Sequence, residues 1–127
     1  MEALEVKEIT AVDAAATMRA AGLRAPLACD TPEDIAAYGQ CFQLRTGTGV
    51  GVFVLRKQGG VMWIDGAGAR VRGSGLTESG LALFDHIARQ AGCTEIAFET
   101  NRPGLVRKSK LAGYVVAGYI MKKAVTP

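Results

Sequence analysis

At 127 residues, 49% hydrophobic and with a net charge of +3, the chain has the size of one domain with a sizeable core and is too short for two. No apolar run approaches the ~20 residues of a membrane-spanning helix, and the acidic start Met1-Glu2-Ala3-Leu4-Glu5 lacks the form of a signal peptide. A single cytoplasmic domain over residues 1–127, away from the membrane and with no specific nucleic-acid partner, is therefore expected.

Leu4 to Ile9 alternates apolar and charged residues, the period of a half-buried strand. Thr10 is placed to cap a helix running to about Ala21, with Asp13 near its first turn and Gly22 as its stop. Thr31-Pro32-Glu33-Asp34 starts a second helix, ending near Tyr38, with proline at the first helical position and acids following. Residues 41–65 read as an antiparallel meander. Phe42 and Leu44 alternate with Gln43 and Arg45, Thr46-Gly47-Thr48-Gly49 turns the chain into Val50 to Arg56, and Gln58-Gly59-Gly60 turns it into a strand from Val61 to Asp65. From Gly66 through Gly75 the chain reads as a glycine- and arginine-rich loop. Such a loop, feeding a helix, suits an anion: the helix N-terminus offers unpaired N–H groups, and glycines let a ligand approach the backbone.

Gly80, Phe84, Ile87, Ala88 and Ala91 then recur at helical spacing, and Gly92 ends that helix. Cys93 to Phe98 forms a strand, and a strand–helix–strand crossover makes it the parallel neighbour of Val61 to Asp65. Pro103-Gly104 opens a short basic helix to Ala112, closed by Gly113, and Tyr114 to Lys122 reads as a final strand, apolar on both faces and hence paired and covered. The fold class is α/β of the α+β kind: a central mixed sheet, built as an antiparallel meander followed by a β-α-β crossover, with helices on both faces.

Several chemistries fit poorly. A dinucleotide fingerprint finds Gly73 and Gly75 but meets Glu78 at the third glycine position, and no Gly-Lys-Ser/Thr follows for a P-loop. Ser74 is not in a G-x-S-x-G setting, and the single histidine, His86, lies mid-helix, where a helix-face role outweighs a catalytic one. Cys29, Cys41 and Cys93 are too far apart for zinc or redox motifs, so no metal is expected and the thiols read as reduced core residues.

Three segments carry a resemblance. Arg70-Val71-Arg72-Gly73-Ser74-Gly75 is similar to the Q/R-x-x-G-x-G/A pyrophosphate loop of the GNAT (GCN5-related N-acetyltransferase) superfamily. The next helix ends in Ala88-Arg89-Gln90-Ala91-Gly92, like that family's A-x-x-x-G, and Glu99-Thr100-Asn101 followed by Gly113-Tyr114 resembles its fifth strand end and N…G-F/Y segment. The order of elements is also the GNAT order. Short GNAT-like proteins of tailed phages are similar again in the run from Phe98 to Lys108 and in the ending Gly118-Tyr119-Ile120-Met121-Lys122.

The resemblance implies an acyl-CoA-dependent N-acyltransferase, with acetyl-CoA or another acyl-CoA as cofactor and a small-molecule or protein amine as acceptor. In the family the fourth and fifth strands splay apart and the fourth binds the pantetheine arm, here through Trp63 and Ile64. The pyrophosphate would sit on Arg70, Val71, Arg72, Gly73, Ser74 and Gly75, with Asn101, Lys108, Arg107 and Arg102 as further contacts; a loop centred on Gly75 to Glu78 is the alternative register. Asp65 and Glu99 are the candidate bases. The family's tyrosine acid falls on Ser109, four residues before Gly113, which relays a proton less well than tyrosine. One strand also stands where the family has a final hairpin. Those two departures favour a second reading, a catalytically degenerate GNAT-fold binding or assembly protein such as a phage virion or morphogenesis factor, active in a bacterial host's cytoplasm. The lone last strand also invites a homodimer.

Overall fold

The computed structural model describes residues 5–22, 31–46, 49–69, 76–100 and 102–125. Five strands form one mixed sheet in the order β1-β2-β3-β4-β5: β1 (Glu5–Ile9), β2 (Gln40–Arg45), β3 (Val50–Gln58), β4 (Val61–Ala69) and β5 (Glu95–Phe98). The first four pair antiparallel and β5 joins β4 in parallel. Four helices accompany them: α1 (Ala11–Ala20), α2 (Pro32–Ala36), α3 (Leu76–Gln90) and α4 (Pro103–Leu111).

Strand alternation sends successive side chains to opposite faces, and β3 shows the result. Phe53 and Leu55 point to the α3 side, where they pack with Leu44, Met62, Ile64, Leu81, Phe84 and Ala88. Val52 and Val54 point the other way, into a second cluster with Ala14, Ala15, Met18, Ile35, Ala36 and Cys41 from α1, α2 and β2. The α3 side is bound by an aromatic chain: Phe42 stacks on Phe53 at 5.5 Å, and Phe53 meets Phe84 edge-on at 5.0 Å. Burial pushes the Cys41 thiol up, and its Sγ donates to the Ala36 carbonyl at 3.3 Å, which fits a quiet core residue.

The helix ends follow the capping rules. Thr10 Oγ1 accepts from Asp13 N–H and Thr31 Oγ1 from Asp34 N–H, both at 3.2 Å. Gly22, Gly92 and Gly113 follow α1, α3 and α4 with φ of +71°, +75° and +97°, the left-handed stop that glycine adopts without strain. An Arg19–Glu33 ion pair links α1 to α2 on the surface.

Two expectations are corrected. The strand expected to end at Asp65 continues to Ala69, so Gly66 and Gly68 are strand rather than loop residues. Packing favours glycine at both: a Cβ on Gly66 would lie 2.5 Å from Ile35 Cγ2, a clash, and one on Gly68 would lie 3.2 Å from Ala21 Cβ, a tight contact. The α1–α2 pair therefore leaves no free room for a Cβ at Gly66 and little at Gly68. The second correction is at the C-terminal side, where residues 114–122 form no strand. A strand persists only when its backbone is paired, and among the described residues this segment has no ladder partner.

Candidate functional site

The sheet opens between β4 and β5. β4 pairs with β3 along its whole length, from Gln58↔Val61 to Gly51↔Ala69, but its ladder with β5 stops at Ile64↔Phe98. Asp65 to Ala69 therefore present one edge to which no described residue is paired. A β-bulge lies at the same point: Val54 opposes Gly66 and Leu55 opposes Ile64, leaving Asp65 as the extra residue of β4. Bulges kink a strand and raise its twist, so β4 turns away where β5 ends. The outcome is a gap inside the sheet, edged by backbone N–H and C=O groups free to pair with an extended, amide-bearing ligand.

Asp65 is fixed at this bulge. Arg56 donates from Nε to Oδ2 at 3.0 Å and from Nη2 to Oδ1 at 3.1 Å, a two-point pair with the Asp65 side chain only 9% exposed. The carboxylate hydrogen bonds raise the Arg56 pKa further. Arg56 also donates to Gln58 Oε1 at 2.7 Å and lies 5.8 Å above the Trp63 ring. Both oxygens of Asp65 are thus engaged by a permanent cation.

Past α4, Tyr114 ties the end of that helix to the last residue of β5. Tyr114 packs edge-on against Phe98 at 5.3 Å, and its N–H donates to the Ser109 carbonyl at 3.0 Å. Ser109 is 3% exposed, and neither its Oγ nor the Tyr114 hydroxyl has a hydrogen-bond partner among the described residues. Burial, with a smaller contribution from Asp85, pushes the Tyr114 phenol up to about 12. Leaving a buried hydroxyl unsatisfied costs about 1–3 kcal/mol, so a pair of them marks a place where water or a ligand belongs.

Charge gathers where α3 begins. Lys108 of α4 reaches Glu78, in the first turn of α3, at 3.3 Å. The Glu78 carboxyl is held below its usual range first by its own backbone N–H and then by Lys108. An anion is therefore already stabilised at this helix N-terminus, beside a lysine.

Sequence comparison finds no matching family model and no matching curated relative. Solved structures do match in shape. A transcriptional regulator from Bacillus halodurans C-125 superposes with a TM-score of 0.67 at 14% identity, over 97% of this chain and all of that one, 100%. An acetyltransferase from Trypanosoma brucei gives 0.61 at 18% identity over 97% and 100%. AAC(6')-Iy, in complex with the bisubstrate analog CoA-S-monomethyl-acetylneamine, gives 0.57 at 15% identity over 98% and 99%. The chain has the GNAT acetyltransferase fold.

Within this GNAT fold the expected site residues fall into three groups. Trp63, Ile64 and Asp65 do lie where β4 leaves β5, although Ile64 is a core side chain that leaves only its backbone for the gap. Glu99 follows β5 directly and is exposed, and Ser109 and Lys108 share α4. Among the described residues no hydrogen bond or ion pair joins Asp65, Glu99 and Ser109 to one another. Arg70, Val71, Arg72, Gly73, Ser74, Gly75 and Asn101 lie outside the described residues. Arg56 was not singled out from sequence, because its tie to Asp65 is a diagonal contact across the β3–β4 ladder, two residues past its direct partner Trp63. Glu78 was named from sequence only as a mismatch to a dinucleotide fingerprint and as the end of the alternative loop, and Lys108 only as a phosphate contact; their ion pair was not foreseen.

Proposed function

We propose that the chain is an acyl-CoA-dependent N-acyltransferase, most simply an acetyltransferase acting on an amine by direct attack. The observation that carries this reading is the gap itself: Asp65 to Ala69 keep an unpaired edge beyond the last β4–β5 pair, Ile64↔Phe98. An edge of this kind accepts the amides of a pantetheine arm as an added strand. The buried, unpartnered Ser109 hydroxyl, linked to the end of β5 through Tyr114, would suit the thiol end of that arm.

Bound acetyl-CoA supplies an activated thioester carbonyl, to which the amine nitrogen adds as the C–S bond breaks and the thiol leaves. The chain's own groups position and stabilise. A backbone N–H on the unpaired β4 edge meets the charge that grows on the carbonyl oxygen. Glu99, exposed just after β5, takes the ammonium proton directly or through water, while Ser109 passes a proton toward sulfur. Asp65, held by Arg56, fixes the bulge and so the direction of the edge. Lys108 and the start of α3, with Arg70, Arg72 and the Gly73–Gly75 backbone, would hold the cofactor phosphates. The structural neighbours include proteins that act on aminoglycosides and on a ribosomal-protein alanine, so aminoglycosides and peptide α-amines are the first acceptors to try.

Titration calorimetry with acetyl-CoA tests the reading. A Kd between about 1 μM and 1 mM is expected, weakened ~10-fold or more, about 1.4 kcal/mol, by Lys108→Glu or Arg72→Glu. Absence of heat at millimolar acetyl-CoA refutes it. Binding without thiol release across the acceptor panel moves the assignment to a catalytically degenerate, CoA-holding protein.

A further inference from the structure

Between α1 and the first three strands, two opposite charges face one groove and do not meet. A cavity of about 250 Å³ opens there, with Lys7, Ile9, Gln43 and Val52 on the sheet side and Asp13 and Thr17 on the helix side. The sheet side is one continuous patch, because Lys7 faces Gln43 across β1–β2 and Gln43 faces Val52 across β2–β3. Asp13 and Thr17 stand four residues apart on α1 and so share one stripe of the helix. Among the described residues Lys7 and Asp13 form no ion pair, with each other or with any other group. The half-buried Gln43 amide and the Thr17 hydroxyl likewise have no hydrogen-bond partner there. The groove thus offers an ammonium that can only donate, a carboxylate that can only accept, and an amide between them that does both.

We propose that this groove binds a free α-amino acid with a small apolar side chain. The ligand carboxylate meets the Lys7 ammonium and the Gln43 amide N–H, and its ammonium meets the Asp13 carboxylate and the Thr17 hydroxyl. Its side chain lies on Ile9 and Val52. Both ends are then charge-assisted hydrogen bonds, whereas a molecule with one of the two charges leaves the other wall unmatched. Size agrees: the cavity falls below the roughly 300–1,000 Å³ of sites that take drug-sized ligands, which suits an amino acid and excludes a nucleotide. The N–H groups that open α1 are not the recognition element, since Thr10 Oγ1 already accepts from Asp13 N–H. Nor is this the gap beyond Phe98. β1 is the far edge of the sheet, on the order of 14 Å from β4 at the usual strand spacing. The groove is a second site, and it stands whether or not the chain transfers acyl groups.

Amide NMR titration of the whole chain with alanine, valine and leucine, without acyl-CoA, tests this separately from the acyl-CoA titration. Signals of residues 7–9, 13–17 and 43 should move with a Kd below ~1 mM for at least one of the three, and that amino acid should raise Tm, because a ligand of the folded state alone stabilises it. For valine, isovalerate and isobutylamine keep the side chain with one charge each, and both should bind at least ~10-fold more weakly. Lys7→Met and Asp13→Asn should each weaken binding by ~10-fold or more. Both residues are exposed, so circular dichroism should show the fold kept in each variant. No movement in this region with any of the three at about 10 mM overturns the proposal. So does equal binding of the singly charged analogues, or binding unchanged in both variants. Movement confined to residues 65–69 overturns it as well, by placing the amino acid in the gap as an acceptor.

Discussion

Gly66→Ala probes the packing that shapes the gap. The added methyl would lie 2.5 Å from Ile35 Cγ2 and 3.1 Å from Met18 Sδ, with Ile35 and Met18 only 3% and 0% exposed. Met18 can bend away at its thioether, but Ile35 is β-branched and stiff at χ1, so α2 or β4 must shift. Overpacking of this kind costs about 1–3 kcal/mol. For a chain of this length that lowers Tm by roughly 3–12 °C. Urea unfolding should show the loss as a lower midpoint with an unchanged slope. Gly68→Ala, whose nearest contact would be 3.2 Å from Ala21 Cβ, should cost less. Ile35→Ala removes the clashing methyl at its own cavity cost of about 2–5 kcal/mol, so the double variant should be more stable than the sum of the two losses implies. Gly66→Ala within ~0.5 kcal/mol of wild type, or strict additivity with Ile35→Ala, would refute the close-approach account.

Arg56→Met leaves the largely buried Asp65 carboxylate without its cation. With Arg56 36% exposed, the loss should be about 1–3 kcal/mol, between a surface and a buried pair, whereas Arg56→Met with Asp65→Asn should recover much of it; urea midpoints of the three variants check both. Tyr114→Phe removes an unpartnered hydroxyl and should be neutral or slightly stabilising in thermal melts. Because the Tyr114 pKa is raised in the folded state, to about 12, the folded protein holds this proton more tightly than the unfolded one. The associated stability is complete below the ordinary tyrosine pKa of about 10 and is lost as pH climbs toward 12; following unfolding and tyrosinate absorbance together through that range tests it, with Tyr114→Phe lacking the effect. The Glu78 carboxyl is depressed, so its contribution is present above its unfolded pKa and disappears as pH falls through the folded one. In Lys108→Met, carbon-detected NMR titration should show the Glu78 pKa moving only part of the way back up, since the backbone N–H is the larger cause.

Much of the fold was legible because it rests on local chemistry. Thr10 and Thr31 act as caps, the glycines at 22, 92 and 113 stop their helices, and the turn at Gly59, with φ +60°, reverses β3 into β4. The β4–α3–β5 crossover follows from the change of hydrophobic period. Gly66 and Gly68 were misread as loop because glycine weakens a strand on average, and here the reason for glycine is a helix pair distant in sequence. Residues 114–122 were misread as a paired strand because an apolar run reports the wish for a partner and not its presence. At the site, Asp65 was visible as an acid near a strand end. Its engagement by Arg56 was not, since a diagonal cross-strand pair depends on the register of two strands and on where a long side chain reaches.

β5 is clamped at the end where it starts. Gly60, in the β3–β4 turn, receives the N–H groups of Thr94 and Glu95 at 2.8 and 3.2 Å, and Lys57 grips the Ala91 carbonyl at the end of α3 at 2.7 Å. The four pairs of the β4–β5 ladder start from this clamp and run out at Phe98. The far end is held too, by the Ile64↔Phe98 pair and by the Tyr114 ring on Phe98, so the register of β5 is fixed at both ends and the unpaired edge of β4 begins at a set place, just past Phe98.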